Sequence, residues 1–173
     1  GVAIHAKNYT ATSLLNTPSV DQVRGAPPVY PEWVVARYLT LPDSLPQRVR
    51  ELAFDLTRGQ TTPYEQALAI ETYLRSYPYN LDVPAPPSAQ DVADYFLFDL
   101  KQGYCDYYAT AMVVLSRAAG LPARLVSGYA SGSYDAPNAR YVVTADNAHS
   151  WVEIYFSGIG WVEFEPTGGL PAI

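Results

Sequence analysis

Apolar positions recur every three or four residues through 43–119 and every second residue from 124 onward. Val49, Leu52, Ala53 and Leu56 form a first helical stripe. Asp43 or Ser44 offers its N-cap, Pro46 sits early where proline is tolerated, and Gly59 ends it. Ala67, Ile70, Leu74 and Tyr77 form a second stripe. Thr61 or Thr62 caps this helix, Pro63 occupies its first turn, and Glu65 falls three residues after Thr62 as in a capping box. Residues 77–88 hold Pro78, Pro84, Pro86 and Pro87, so they form a loop. Loops of about a dozen residues are often functional. Asp91 to Leu100 reads as a short helix. From Cys105 to Ala119 there is neither proline nor glycine. Tyr108, Ala111, Met112, Leu115 and Ala119 make one stripe, and Ala109, Val113 and Ala118 widen it nearly all round, the mark of a buried central helix. Gly120-Leu121-Pro122 stops it.

The period-two segments are Arg124 to Ala130, Tyr141 to Ala145, His149 to Phe156 and Gly160 to Glu165. Their short connections predict antiparallel hairpins. Helices first and a meander after them make an α+β domain, with a buried helix packed on an antiparallel sheet. Residues 1–42 carry turn and extended signals, such as Asn16-Thr17-Pro18 and Gly25-Ala26-Pro27-Pro28, and no sustained helical period. The expected division is an extended N-terminal arm over 1–42, packing Trp33, Val34, Val35 and Leu39 on the body, and a single core over 43–173.

A chain of 173 residues is one domain in size. Hydrophobic residues at 49% and charged residues at 16% are globular proportions and exclude a disordered chain. No apolar run reaches the length of a transmembrane helix, and the first seven residues lack the layout of a signal peptide. The chain begins at Gly1 without an initiator methionine, as expected of a segment cut from a longer protein. A net charge of −6 argues against a nucleic-acid partner. One cysteine excludes an internal disulfide and any multi-cysteine metal site. Asn8-Tyr9-Thr10 fits a glycosylation sequon, a pattern that chance also supplies.

With Cys105, His5 and His149 as the sole residues of their kinds, a nucleophile–base pair has few candidates. Cys105 follows Gly103 at the first turn of the central helix. Free amides and the helix dipole there stabilise a thiolate, Lys101 adds positive charge nearby, and Asp106 opposes it. A small buried hydrophobe is the structural alternative. His149 shares a strand face with Trp151, Glu153 and Tyr155, away from the apolar face of Ser150, Val152, Ile154 and Phe156. His5, in the arm, receives no role. If the strands beginning at His149 and Gly160 pair so that Glu165 lies opposite Trp151, Glu165 is a diagonal neighbour of His149, roughly 7–8 Å away at Cα and within side-chain reach. Glu163 shares that parity but lies further off. Cys105, His149 and Glu165 would then support covalent catalysis, as nucleophile, acid–base and orienting carboxylate. The Cys105 amide is an oxyanion donor, with Gln102 or Tyr95 as candidate second donors.

Four motifs in order carry a family resemblance. Tyr95-Phe96-Leu97-Phe98 with Gly103-Tyr104-Cys105-Asp106-Tyr107-Tyr108-Ala109-Thr110-Ala111 resembles the nucleophile region of the transglutaminase-like superfamily. Gly120-Leu121-Pro122-Ala123-Arg124-Leu125-Val126-Ser127-Gly128-Tyr129 resembles its next signature. Ala148-His149-Ser150-Trp151-Val152-Glu153 resembles its histidine motif, and Gly160-Trp161-Val162-Glu163-Phe164-Glu165-Pro166-Thr167 its acid motif. The resemblance implies the papain-like, transglutaminase-core fold and a triad of Cys105, His149 and Glu165. The third member is usually Asp, so Glu165 is a departure that a slightly retracted backbone would accommodate. Ser150 stands where Ala is common. The upstream helices are similar to the bacterial membrane-anchored branch, which implies an extracytoplasmic domain of an anchored parent chain, with no membrane contact by this segment itself. No acidic loop matches the calcium sites of animal relatives, so neither metal nor cofactor is expected.

The implied activity is acyl transfer on protein or peptide amides, with glutamine side chains as donors and a thioester intermediate. The same thioester serves a deamidase or protease, and pocket shape and water exclusion decide the acceptor. A non-catalytic scaffold of the same fold is the reading from another class, and loss of Cys or His would be its mark. A Cys/His/Glu metal site lacks chelate spacing.

Overall fold

The computed structural model describes residues 10, 12 and 17–169. His5 and the acceptor Asn8 of the sequon lie outside them. The described chain runs through α1 (Val20–Arg24), α2 (Glu32–Tyr38), α3 (Gln47–Thr57), α4 (Pro63–Arg75), α5 (Val92–Asp94), a π-helical stretch Tyr95–Leu100, and α6 (Cys105–Ala118). The strands β1 (Ala123–Tyr129), β2 (Ser133–Asp135), β3 (Arg140–Val142), β4 (Ala148–Phe156) and β5 (Gly160–Phe164) follow.

Helix α6 is the spine. Tyr108, Ala109, Ala111, Met112 and Leu115 are fully buried, and α3, α4, α5, β1 and β4 pack around it. Burying each large apolar side chain contributes about 1.5–3 kcal/mol, so the all-round apolar surface of α6 orders the elements about it. Helix α4 presents Ala67, Ile70 and Leu74 to the core, all with no exposed surface. Thr62 caps it by accepting the Glu65 N–H at 3.2 Å, while the Glu65 carboxylate turns back to Thr61 rather than to Thr62. Neither Asp43 nor Ser44 caps α3: Pro46 holds the cap position, where its fixed φ suits helix entry.

The main sheet has the order β1-β4-β5, antiparallel throughout. Val152 faces Phe164, Glu153 faces Glu163 and Ile154 faces Val162, the register expected from the short turn. The burial alternation along β4 puts Ser150, Val152, Ile154 and Phe156 against the helices and His149, Trp151, Glu153 and Tyr155 on the other face.

Three expectations are corrected. The segment Tyr141 to Ala145 does not join the main sheet as a meander. Its strand part, β3, pairs with the unexpected β2 in a separate hairpin whose residues are mostly exposed. Alternation there reflects the Tyr134–Tyr141 ring pair rather than a buried face. The arm is not extended, because α1 and α2 interrupt it. A Ser19–Gln22 capping box nucleates α1, and Pro31 starts α2. On α2 only Val34 is fully buried, whereas Val35 faces solvent. Trp33 is 57% exposed yet meets Tyr155 edge to face at 6.0 Å. Finally, the helix expected over 91–100 widens into the π form after one α turn and ends at Lys101, whose φ of 53° is left-handed.

Candidate active site

Cys105 opens α6. Its neighbour Tyr104 provides no side-chain cap, so the first amides of the helix are left for other acceptors. The approach to Cys105 is set by Gly103. A Cβ at Gly103 would stand 3.0 Å from the Tyr107 ring, so only glycine passes there without displacing it. Gly103 also bridges to Tyr79 in parallel fashion, and its carbonyl accepts the Asn80 N–H at 2.8 Å. The proline-bearing loop is thereby held beside the start of α6.

Cys105 is half-buried and carries a free thiol. Burial pushes this thiol up from its ordinary value, and the charges of Asp106 and Glu165 push the same way. Against them, the main-chain amides of Ser150 and Asp106 are directed at the sulfur and favour the thiolate. Asp106 Oδ1 lies 3.9 Å from Sγ and also accepts the Ser150 hydroxyl at 2.7 Å. The peptide that follows His149 is thus anchored on α6.

His149 Nε2 and Glu165 Oε2 share a hydrogen bond, with both side chains largely withdrawn from solvent. The ring of His149 also stacks on Trp151, with centroids 6.2 Å apart. Trp151 in turn needs the absence of a side chain at Gly128, where a Cβ would sit 3.0 Å from the indole. Glu165 lies just past the end of β5, buried to 3% exposure. Its Oε1 accepts the Thr167 N–H at 2.9 Å, a tight local turn that fixes the carboxylate plane. The structure therefore brings Glu165, and not Glu163, to His149. Glu163 is exposed and stands opposite Glu153, whose carboxylate is taken by Arg124.

The two candidate oxyanion side chains fare differently from the main-chain donors. Gln102 accepts the Asn80 amide at 3.2 Å, and Tyr95 lies in the π-helical stretch. The polar group that sequence reasoning missed is Tyr79. Its backbone bridges Gly103, two residues before Cys105, and burial, then the charges of Cys105 and Asp106, push its phenol up. Its loop was expected to be functional, but no local pattern marked this residue. Glu71 was missed as well. It is buried at 7% exposure on the apolar stripe of α4 and accepts the Glu165 N–H at 2.9 Å. A carboxylate set between Ile70 and Leu74 on one helical face is the signal that could have revealed it.

Among relatives, the uncharacterized protein YebA of Bacillus subtilis (strain 168) is 51% identical over 141 residues, covering 78% of this chain and 19% of that protein. A protein-glutamine gamma-glutamyltransferase of Pseudomonas aeruginosa is 35% identical over 131 residues, covering 76% of this chain and 20% of that protein. The chain thus spans about a fifth of the length of these curated relatives. The crystal structure of the periplasmic domain of TgpA from Pseudomonas aeruginosa superposes with a TM-score of 0.71 at 33% identity, over 80% of this chain and 48% of that one. A structure from Cytophaga hutchinsonii shares the fold, with a TM-score of 0.60 at 21% identity over 84% of this chain and 46% of the other. The family profile described as transglutaminase-like superfamily matches residues 50–166, a span that takes in Cys105, His149 and Glu165. By that match, which covers more than half of its length, the chain belongs to the transglutaminase-like superfamily.

Proposed function

We propose that this domain catalyses cysteine-dependent acyl transfer from glutamine side chains of proteins or peptides to primary amines. Cys105 is its nucleophile, His149 its acid and base, and Glu165 the carboxylate that orients the imidazole. The observation that carries this reading is the buried His149–Glu165 hydrogen bond set beside the uncapped N-terminus that bears Cys105. The similarity to a protein-glutamine gamma-glutamyltransferase supports glutamine as the donor.

With Nε2 engaged by Glu165, the other ring nitrogen of His149 is the one available to Cys105. Burial favours the protonated thiol, so the attack needs such a base. His149 takes the thiol proton, and the sulfur attacks the glutamine amide carbon. Helix-terminal N–H groups stabilise the tetrahedral oxyanion. The imidazolium then gives its proton to the departing ammonia as the C–N bond breaks, leaving a thioester. An amine attacks the thioester, His149 accepts the proton released, and the sulfur leaves to regain a proton. The product is a substituted amide.

The domain acts outside the cytoplasm as part of a longer anchored chain. The likeness to a periplasmic domain supports that placement, and no helix of the described residues is long and apolar enough to cross a membrane.

The test is mass spectrometry of a glutamine-containing peptide incubated with the protein and a primary amine, beside Cys105→Ala. Amine incorporation with loss of ammonia, absent in the variant, supports the proposal. Deamidation alone would replace the amine by water as acceptor. An unchanged peptide, or incorporation that survives Cys105→Ala, overturns it.

A further inference from the structure

Glu165 is held by more than its bond to His149. Its main-chain N–H donates to Glu71 Oε1 at 2.9 Å, and its carbonyl accepts from Arg75 Nη1 at 2.7 Å. Arg75 Nη1 also lies 3.4 Å from the Thr167 carbonyl. Glu71 and Arg75 are one turn apart on α4, so one helix face grips both main-chain polar groups of Glu165. The grip continues along the chain. A Cβ at Gly168 would stand 2.5 Å from the Tyr77 carbonyl and 3.1 Å from the Arg75 carbonyl, so residues 165–168 lie directly against the end of α4.

A buried glutamate on an apolar helical stripe is costly unless its oxygens are used. Here the use is specific, since an amide just past the edge strand, 94 positions away, donates to the carboxylate. We propose that Glu71 is the positioning residue for Glu165: from α4 it holds the main chain of the acid that orients His149, and so sets the aim of that carboxylate. This deepens the acyl-transfer reading and rests on it. It also accounts for a glutamate in a place where the motif resemblance expects aspartate. A side chain longer by one methylene meets the imidazole at the right distance only if its backbone is fixed relative to β4. Misplacement of a catalytic group by about 1 Å costs on the order of 100-fold in rate, so a backbone anchor of this kind bears on kcat.

The experiment compares the parent domain with Glu71→Leu and Glu71→Gln. Leucine suits the apolar stripe but accepts no hydrogen bond, whereas glutamine keeps an oxygen for the Glu165 N–H. Two quantities are read: steady-state amine incorporation into a glutamine peptide, and the rate of Cys105 alkylation by iodoacetamide between pH 5 and pH 8. For Glu71→Leu the expected result is a kcat lower by about 10–100-fold, an unchanged KM for the peptide, and slower alkylation across that range. Glu71→Gln is expected to restore both close to the parent. Equal kcat in the parent and Glu71→Leu, a change confined to KM, or a Glu71→Gln as impaired as Glu71→Leu would each overturn the positioning role. That last comparison stands even if Glu71→Leu fails to fold, because Glu71→Gln alone must then match the parent. A parent that neither incorporates amine nor is alkylated at Cys105 anywhere in that range would instead overturn the acyl-transfer reading and the positioning role with it.

Discussion

The Ser150 hydroxyl donates a hydrogen bond to Asp106 Oδ1 at 2.7 Å, joining the strand that carries His149 to the helix that begins at Cys105. The bond connects neighbours of the two candidate catalytic residues, and its acceptor is the same oxygen that lies 3.9 Å from the sulfur. The hydroxyl thus draws on a negative charge that would otherwise act on the thiol alone.

Ser150→Ala should therefore do two things. Loss of this part-buried hydrogen bond costs about 0.5–1.5 kcal/mol, or roughly 2–4 °C in Tm for each kcal/mol in a domain of this size. The Asp106 charge, no longer shared, should raise the Cys105 thiol further and slow iodoacetamide alkylation below neutral pH. Thermal melts and alkylation rates check this. A variant that matches the parent in both would show that the Ser150–Asp106 bond holds neither strand nor charge in place.

Glu165→Asp should lower kcat by about 10–100-fold with KM for a glutamine peptide unchanged. The Glu165 backbone is anchored at both its N–H and its carbonyl, so it cannot advance to compensate for a shorter side chain. Steady-state kinetics decide the point. Parental turnover in the aspartate variant would mean that the strand end moves freely.

Stability should depend on pH through Glu71. Burial, joined by the charge of Glu165, raises its carboxyl above the ordinary glutamate value, while the Glu165 N–H and Arg75 pull it back only in part. A folded-state value above the unfolded one means that the native state binds the proton more tightly. The stabilisation is then complete below the unfolded carboxylate range and is lost as pH rises through the folded value. Glu71→Gln removes this titration, so its Tm relative to the parent should climb between pH 4 and pH 7. A constant difference across that range would show that Glu71 titrates as it does in the unfolded chain.

Gly168→Ala should destabilise the domain by about 1–3 kcal/mol, because the new methyl meets the Tyr77 carbonyl at 2.5 Å and one of the two main chains must shift. That carbonyl also accepts the buried Tyr108 hydroxyl at 2.9 Å, which limits how far it can yield. Urea titration measures the cost, and the same variant should lose turnover as the segment bearing Glu165 is displaced. A silent substitution would mean that the contact relaxes easily.

What local pattern could determine, it determined well. The buried character of α6 follows from apolar residues on nearly every side of Cys105–Ala118, and the register of β4 on β5 follows from strict alternation across a short turn. Together these two features place Cys105 at a helix start and put Glu165 on the face of His149. Other features are invisible to periodicity because they are made by partners far apart in the chain. The bond from Glu71 to Glu165 spans 94 positions, and the loop of Tyr79 lies beside the start of α6 because Tyr79 bridges to Gly103. The alternation at Tyr141 was legible, but its partner β2 was not, and which strand it paired with was decided by tertiary packing. A sequence reports which face of an element avoids water. Which polar group meets which, once those faces are buried, is decided by the assembled fold, where a donor without water must find its acceptor wherever packing has brought one.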